Sequence, residues 1–420
     1  LNPLFSQHAD EQATLALITD LAKPYPKSPE AHYAIALAAF RAGTAHESAN
    51  AIAINEVDHA LELEPGWDRA AVLKGEILGR KSAAAKIAWL QSFLAATPYS
   101  KAASGALAQA YIDQHRLADA RALMQKLWDH EPGSRDLEFA VAGIALQMKD
   151  YPEAERLFQD LKKAGYGEPG TMNLYLAEIA EDQKQFAKAI ELYQSITEGD
   201  RAWLAKLRIG ALYGKEGKLD EAKRWLAGLD AVTLEQKIQV RQAEAQVLRE
   251  AGDDAGAYRV LEQGLAAHPD SPDLIYDLAM VAEKLKRVDE AEARLKHLVA
   301  LKPNDAQALN ALGYTLVDRT GHTDEGFALI ERAHKLEPDD PFILDSMGWA
   351  LYRLGRLDQA QAYLQRALDG RSDAEIAAHL GEVLWRKGDR ARARSLWKVQ
   401  LAEHPDNVVL KETIRRLEPQ

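Results

Sequence analysis

The chain has 420 residues, of which 47% are hydrophobic, 28% charged and 7% aromatic, and it contains no cysteine. Disulfide frameworks, thiolate metal sites and cysteine nucleophiles are therefore excluded. A formal net charge of −12 argues against a polyanion-binding surface, and no uncharged stretch approaches the roughly 18 apolar residues of a membrane span. The first residues, Leu1-Asn2-Pro3, carry neither an initiator methionine nor a signal peptide, which predicts that a leader or N-terminal segment precedes them.

In chain order, residues 10–22 read as a lone second helix of a hairpin, so 1–29 is a partial unit. Two divergent units follow at 30–65 and 66–98; His46 to Asn50 lengthens one turn and Gly79-Arg80 sits in a shortened one. Nine regular units then run over 99–132, 133–168, 169–201, 202–236, 237–269, 270–303, 304–338, 339–372 and 373–405. Residues 406–420, with Ile414-Arg415-Arg416-Leu417, read as a polar helix that shields the last apolar face.

Three registers define these units. Proline recurs at Pro65, Pro98, Pro132, Pro269, Pro303, Pro338 and Pro405, at multiples of about 34 residues. Small residues recur at Ala120, Ala154, Ala189, Ala222, Ala257, Ala291, Gly326, Ala360 and Ala393, each 33 to 35 residues after the last. Twelve residues before eight of them stands another small one: Ala108, Ala142, Ala177, Gly210, Ala245, Ala279, Gly348 and Gly381. Gly313 precedes Gly326 by thirteen, which predicts a one-residue insertion in that turn. Each unit reads as two amphipathic helices that cross closely at the small residues, with Leu364 and Met347 filling the volume beside one such crossing. The closing proline cannot continue a helix.

This pattern resembles the tetratricopeptide repeat. The resemblance covers about nine-tenths of the chain and implies an all-α, right-handed superhelix of about eleven helix-turn-helix repeats with a capping helix. It further implies that the first helix of each unit lines a concave groove. Helical geometry then selects positions 2, 5, 9, 12 and 13 of each first helix as groove-facing. In the C-terminal units these include Tyr276, Met280, Tyr314, Phe342, Trp349, Tyr352, Arg353, Trp385 and Arg386. Further back lie Gln239, Gln242, Gln246 and Arg249, then Glu178, Glu181 and Asp182. Trp, Tyr and Arg dominate interface hot spots, so this face reads as polypeptide-binding; packing between units is the competing role for each residue. A carboxylate clamp of the chaperone-binding kind is excluded, because positions 5 and 9 hold Tyr276 with Met280, Asn310 with Tyr314, and Asp345 with Trp349.

Catalytic signals are absent. Gly165-Tyr166-Gly167-Glu168-Pro169-Gly170 spells a dinucleotide fingerprint, but a helix precedes it and a proline interrupts it, so an inter-repeat loop is the reading. The twelve histidines are scattered and read as structural or solvent-facing; no metal or cofactor is expected. Charges such as Glu290, Glu292, Arg294 and Lys296 alternate as on a solvated face. Nothing outside the repeats is long enough to form a catalytic domain.

The run from Leu309 through the 341–372 unit (LNALGYTLVDRTGHTDEGFALIERAHKLEPDDPFILDSMGWALYRLGRLDQAQAYLQRAL) is similar to the last repeats of proteobacterial outer-membrane TPR lipoproteins. Within that group it is most similar to the pseudomonad members that partner a periplasmic carboxyl-terminal processing protease. The resemblance implies a non-catalytic adaptor that binds and activates the protease and delivers substrates such as peptidoglycan cross-link hydrolases. It also implies a lipidated cysteine ahead of Leu1 and a place on the periplasmic side of the outer membrane. The alternatives are a scaffold for envelope polysaccharide export or another multiprotein assembly, and a cytoplasmic accessory subunit.

Overall fold

Stretches of alanine, leucine and other strong helix formers, punctuated by Gly and Pro, become helices throughout the structure. A computed structural model describes residues 11–43, 47–168 and 170–418 and contains no strand among them. The chain divides into two compact units, Leu1–Ala202 and Trp203–Gln420. In unit 1, α1 (Glu11–Ala22) precedes five hairpins: α2 (Pro29–Ala42) with α3 (Glu47–Leu63), α4 (Asp68–Gly79) with α5 (Ala83–Ala96), α6 (Lys101–Asp113) with α7 (Leu117–His130), α8 (Arg135–Gln147) with α9 (Tyr151–Lys163), and α10 (Thr171–Asp182) with α11 (Phe186–Gln194).

The boundary between the units falls in the first turn of α12 (Asp200–Lys215), which pairs with α13 (Leu219–Ala227). Unit 2 continues with α14 (Leu234–Glu250) and α15 (Asp254–Ala267), α16 (Pro272–Lys284) and α17 (Val288–Leu301), and α18 (Ala306–Thr315) and α19 (Thr323–Leu336). The last hairpins are α20 (Pro341–Arg353) with α21 (Leu357–Gly370) and α22 (Ala374–Arg386) with α23 (Arg390–Glu403), closed by α24 (Val408–Leu417). Residues 1–10 of the partial first unit, 44–46 of the lengthened turn, and Pro169 of the Gly-rich loop lie outside the described residues.

Helix starts are set by side chains that accept backbone N–H groups: Ser28, Ser82, Ser100, Thr233, Ser271, Asp305, Asp340, Asp373 and Asn407 among them. The ends of the second helices are set by proline. Pro98, Pro132, Pro269, Pro303, Pro338 and Pro405 each follow a residue forced out of helical geometry; Thr97, Glu131 and Lys302 have ψ of 65°, 69° and 76°. Nine turns inside hairpins, from α6/α7 to α22/α23, carry one left-handed residue, with φ from 55° at His115 to 91° at Gly388. In eight of the nine the residue after it bonds back to the helix it leaves, as Arg116 N does to Tyr111 O at 2.8 Å. The α4/α5 turn, predicted to be short, has three connecting residues like those from α6/α7 to α16/α17, but its Arg80 stays right-handed at φ −58°.

The paired small residues sit at the helix crossings. Ala120, Ala154, Ala189, Ala222, Ala257, Ala291, Ala360 and Ala393 are fully excluded from solvent. A Cβ on Gly210 would lie 2.6 Å from Leu226 Cδ2, and one on Gly348 would lie 2.5 Å from Leu364 Cγ, so neither site admits a larger residue without movement. The thirteen-residue spacing at Gly313–Gly326 does not lengthen the turn as its sequence predicts. The extra residue is absorbed upstream, in a π-helical turn over Leu316–Thr320. Both glycines thereby keep their crossing: a Cβ on Gly313 would meet Gly326 O at 2.8 Å.

No helix among the described residues is long and apolar enough to cross a membrane. The three glycines of the Gly-rich loop, Gly165, Gly167 and Gly170, all have positive φ between α9 and α10, the geometry of an inter-helix loop. At the C-terminus α24 packs on α22 and buries Leu410.

Candidate protein-binding site

On a first helix, position 8 faces its own second helix. At about 100° per residue, positions 2, 5, 9, 12 and 13 then fall together on one flank. In unit 2 this flank runs along α14, α16, α18, α20 and α22, and side chains bond across it from one repeat to the next.

At its start, Gln242 donates to Asp277 at 2.7 Å, and Gln246 donates to Glu250 at 2.8 Å. Gln242, Gln246, Arg249 and Asp277 line a cleft of about 370 Å³. Burial raises the Asp277 pKa against the bond from Gln242 and the nearby Arg249 charge. Gln239 stands outside the cleft and accepts from the Trp203 indole. Two buried polar atoms on the flank, Arg249 Nε and Asn310 Oδ1, have no hydrogen-bond partner among the described residues.

Tyr276 and Met280 are half-buried in α16 and pack against the core of α14 to α18. Burial, then the charges of Asp277 and Glu283, raises the Tyr276 pKa. Burial pushes the Tyr314 hydroxyl well above its ordinary value, and Asp318 and Asp345 push it further.

The densest cluster lies on α18, α20 and α22. Trp349 is 8% exposed, stacks on His379 at 4.2 Å between ring centroids, and donates its indole N–H to Asp318 at 2.9 Å. Arg353 also donates to Asp318, at 3.3 Å, while Arg319 bridges Asp318 and Glu283 at 2.9 Å each. His379 Nδ1 lies 2.9 Å from Asp345 Oδ1. Burial works against the charged imidazole, but Asp345, with Asp318 and Glu375 beyond it, raises the pKa overall. Tyr352 donates to Glu382 at 2.9 Å and accepts from Arg386 at 3.2 Å, and Arg416 of α24 binds Glu382 through both terminal nitrogens. Burial opposes the Glu382 charge, yet the Arg416 and Tyr352 bonds hold its pKa below the ordinary value.

The structure therefore joins Tyr314, Trp349, Tyr352, Arg353 and Arg386 into one network and leaves outside it two of the residues predicted on these three helices. Phe342 is 43% exposed at the start of α20, with the Arg371 guanidinium 4.9 Å from its ring centroid. Trp385 packs on Trp397 at 5.8 Å, flanked by Arg390 and Arg394. Trp349 forms the floor of the network and offers little open surface. Sequence reasoning chose aromatic residues and missed Glu283, Asp318, Asp345, His379 and Glu382, which hold them. A signal existed: opposite charges stand one repeat apart in Asp318 and Arg353, Glu283 and Arg319, and Asp345 and His379. In unit 1, Asp182 accepts from Tyr151, Glu181 is buried, and Glu178 is exposed.

Two family models, each described as a tetratricopeptide repeat, match this chain. One matches residues 111–169 and 248–313, the other 144–203 and 346–407, together just over half of the chain. The chain belongs to the tetratricopeptide-repeat family. Repeats of this family serve protein–protein interaction, and the TPR first helices of unit 2 carry the flank just described. A TPR repeat-containing protein of Pseudomonas aeruginosa is 38% identical over 242 residues, 58% of this chain and 41% of that protein. A human protein O-mannosyl-transferase is 23% identical over 220 residues, 51% of this chain and 25% of its own. A solved tetratricopeptide repeat protein from Parabacteroides merdae has a TM-score of 0.46 at 16% identity, covering 60% of this chain and 99% of that one. The chain spans less than half the length of these curated relatives.

Proposed function

We propose that this TPR protein is a non-catalytic adaptor that binds and activates a periplasmic carboxyl-terminal processing protease and presents protein substrates to it, such as peptidoglycan cross-link hydrolases. The observation that carries the reading is the flank of unit 2, where arginines, aromatic rings and carboxylates alternate from repeat to repeat. Arg353 and Arg386, both exposed, are the groups best placed to meet another protein. The similarity of the run from Leu309 to outer-membrane TPR lipoproteins, together with the 38% identity to a pseudomonad relative, supports this choice of partner. A non-catalytic role fits the chemistry of the flank. Its buried histidine is committed to Asp345 and Trp349, and Asp318, Glu283 and Glu382 are tied to arginines, so none is poised as a free acid or base. Holding protease and substrate on one chain raises their mutual concentration to roughly millimolar without new chemistry. The proposed location is the periplasmic face of the outer membrane, as a lipoprotein.

The test combines the purified full-length chain with the protease and a defined hydrolase substrate. The chain alone should cleave nothing and should accelerate cleavage by the protease. An Arg353→Ala, Arg386→Ala double variant, unchanged in helicity, should bind the protease at least about tenfold more weakly. Identical cleavage rates with and without the chain would overturn the reading. Capture from envelope extract that recovers polysaccharide-export components and no protease would favour the scaffold role.

A further inference from the structure

The first hairpin carries a cluster that the protein-binding flank does not use. α2 bears His32, and α3 bears Glu56 and His59, three residues apart and so on one helix face. Their ligand-capable atoms all lie within 4.8 Å of one another. We propose that His32, Glu56 and His59 form a binding site for a divalent transition cation of the zinc class, one that clamps α2 to α3.

The hydrogen bonds around His32 carry the inference. Its Nε2 lies 3.1 Å from Pro26 O, and a carbonyl can only accept, so Nε2 holds a proton. Nδ1 then faces Glu56 Oε2 at 2.7 Å. A neutral imidazole with its proton on Nε2 would set two lone pairs against each other across an ionised Glu56, so the gap is filled by a proton shared between the two residues or by a cation. Burial alone would lower the His32 pKa, but the bonds to Glu56 and Pro26 outweigh it and the net shift is upward. A histidine whose far nitrogen donates to a backbone carbonyl is also the usual arrangement of a metal ligand, because that bond fixes the tautomer and aims the free lone pair. The neighbouring carboxylate Asp58 is engaged by Lys74 at 2.6 Å, which leaves Glu56 as the acid facing the histidines.

Two imidazoles and one carboxylate suit zinc-class ions and not magnesium or calcium, which prefer all-oxygen sites. At ligand distances of about 2.0–2.2 Å the three donor atoms would draw to roughly 3.4 Å apart. His59 is exposed and has room to swing inward for this closure. Three protein ligands leave a fourth position for water or for a side chain of a bound protein. The cation competes with that shared proton, so its affinity falls on acidification.

The test uses the full chain, stripped of metal and titrated with Zn²⁺ by calorimetry, with Co²⁺ as a visible-absorbance probe. One cation per chain is expected. Replacing the exposed ligand (His59→Ala) and making the near-isosteric change Glu56→Gln should each weaken binding at least about tenfold with unchanged circular dichroism. Zn²⁺ should raise the melting temperature of the parent chain and not of His59→Ala. Absence of saturable Zn²⁺ binding at micromolar concentration, or binding equally tight in both variants, would overturn the proposal.

Discussion

His379 illustrates how much of this protein is decided one side chain at a time. It is buried, stacked on Trp349, and charged more readily than a free histidine because Asp345 outweighs the effect of burial. Its folded pKa exceeds the unfolded value of about 6.5, so its stabilising contribution is fully present below about pH 6.5 and is lost as pH rises through the folded pKa. Asp345→Asn should therefore lower the His379 pKa in an NMR titration. It should also destabilise the protein to urea at pH 6 by more than it does at pH 9. A destabilisation independent of pH would show that Asp345 acts through packing alone. The histidine by itself shows none of this; its spacing of one repeat from Asp345 suggests the pair, and the stacking of the helices closes it. His32 was hidden, being 24 residues from Glu56 and on another helix. The aromatic residues of the flank were legible as a class, but their burial was not. Trp349 is large and apolar enough for either an exposed anchor or a packed floor, and only its neighbours Asp318 and His379 determine which.

At the scale of the helix, steric rules do most of the deciding, and the sequence displays them openly. Small residues twelve apart imply a close crossing because a bulkier side chain would force the backbones apart. Ala222→Leu, at a fully buried crossing, should destabilise by about 1–3 kcal/mol in urea unfolding. An unchanged midpoint would show that α12 and α13 do not cross there. The left-handed turn position offers the opposite lever. Lys149 adopts φ 59°, which a β-carbon disfavours, so Lys149→Gly should stabilise the chain by about 0.5–1 kcal/mol, read as a rise in melting temperature. The extra residue between Gly313 and Gly326 shows the limit of spacing arguments. Spacing reveals an insertion but not where the backbone absorbs it. A π turn in α18 keeps the left-handed glycine at Gly321 in its usual place, at the expense of a few helical bonds.

At the scale of the molecule, hairpins within each unit pack chiefly on their sequence neighbours, so the stability of a unit is close to a sum of local terms and neighbour interfaces. Overpacking one crossing should then loosen its own hairpin first. Ala142→Leu is expected to speed amide exchange in α8 and α9, less in α6 and α7, and least in α2 and α3 of the same unit. Uniform acceleration across unit 1 would indicate a single cooperative block instead. The sequence by itself determined the repeat, the helix ends and the crossings, because these rest on local sterics and on residues within one 34-residue period. Only the tertiary structure decided which carboxylate holds which ring, which aromatic is floor and which is surface, and that His32 meets Glu56 and His59. Those outcomes depend on distances between side chains of different helices; repeat spacing suggests pairs such as Asp345 and His379 but does not fix which of them close.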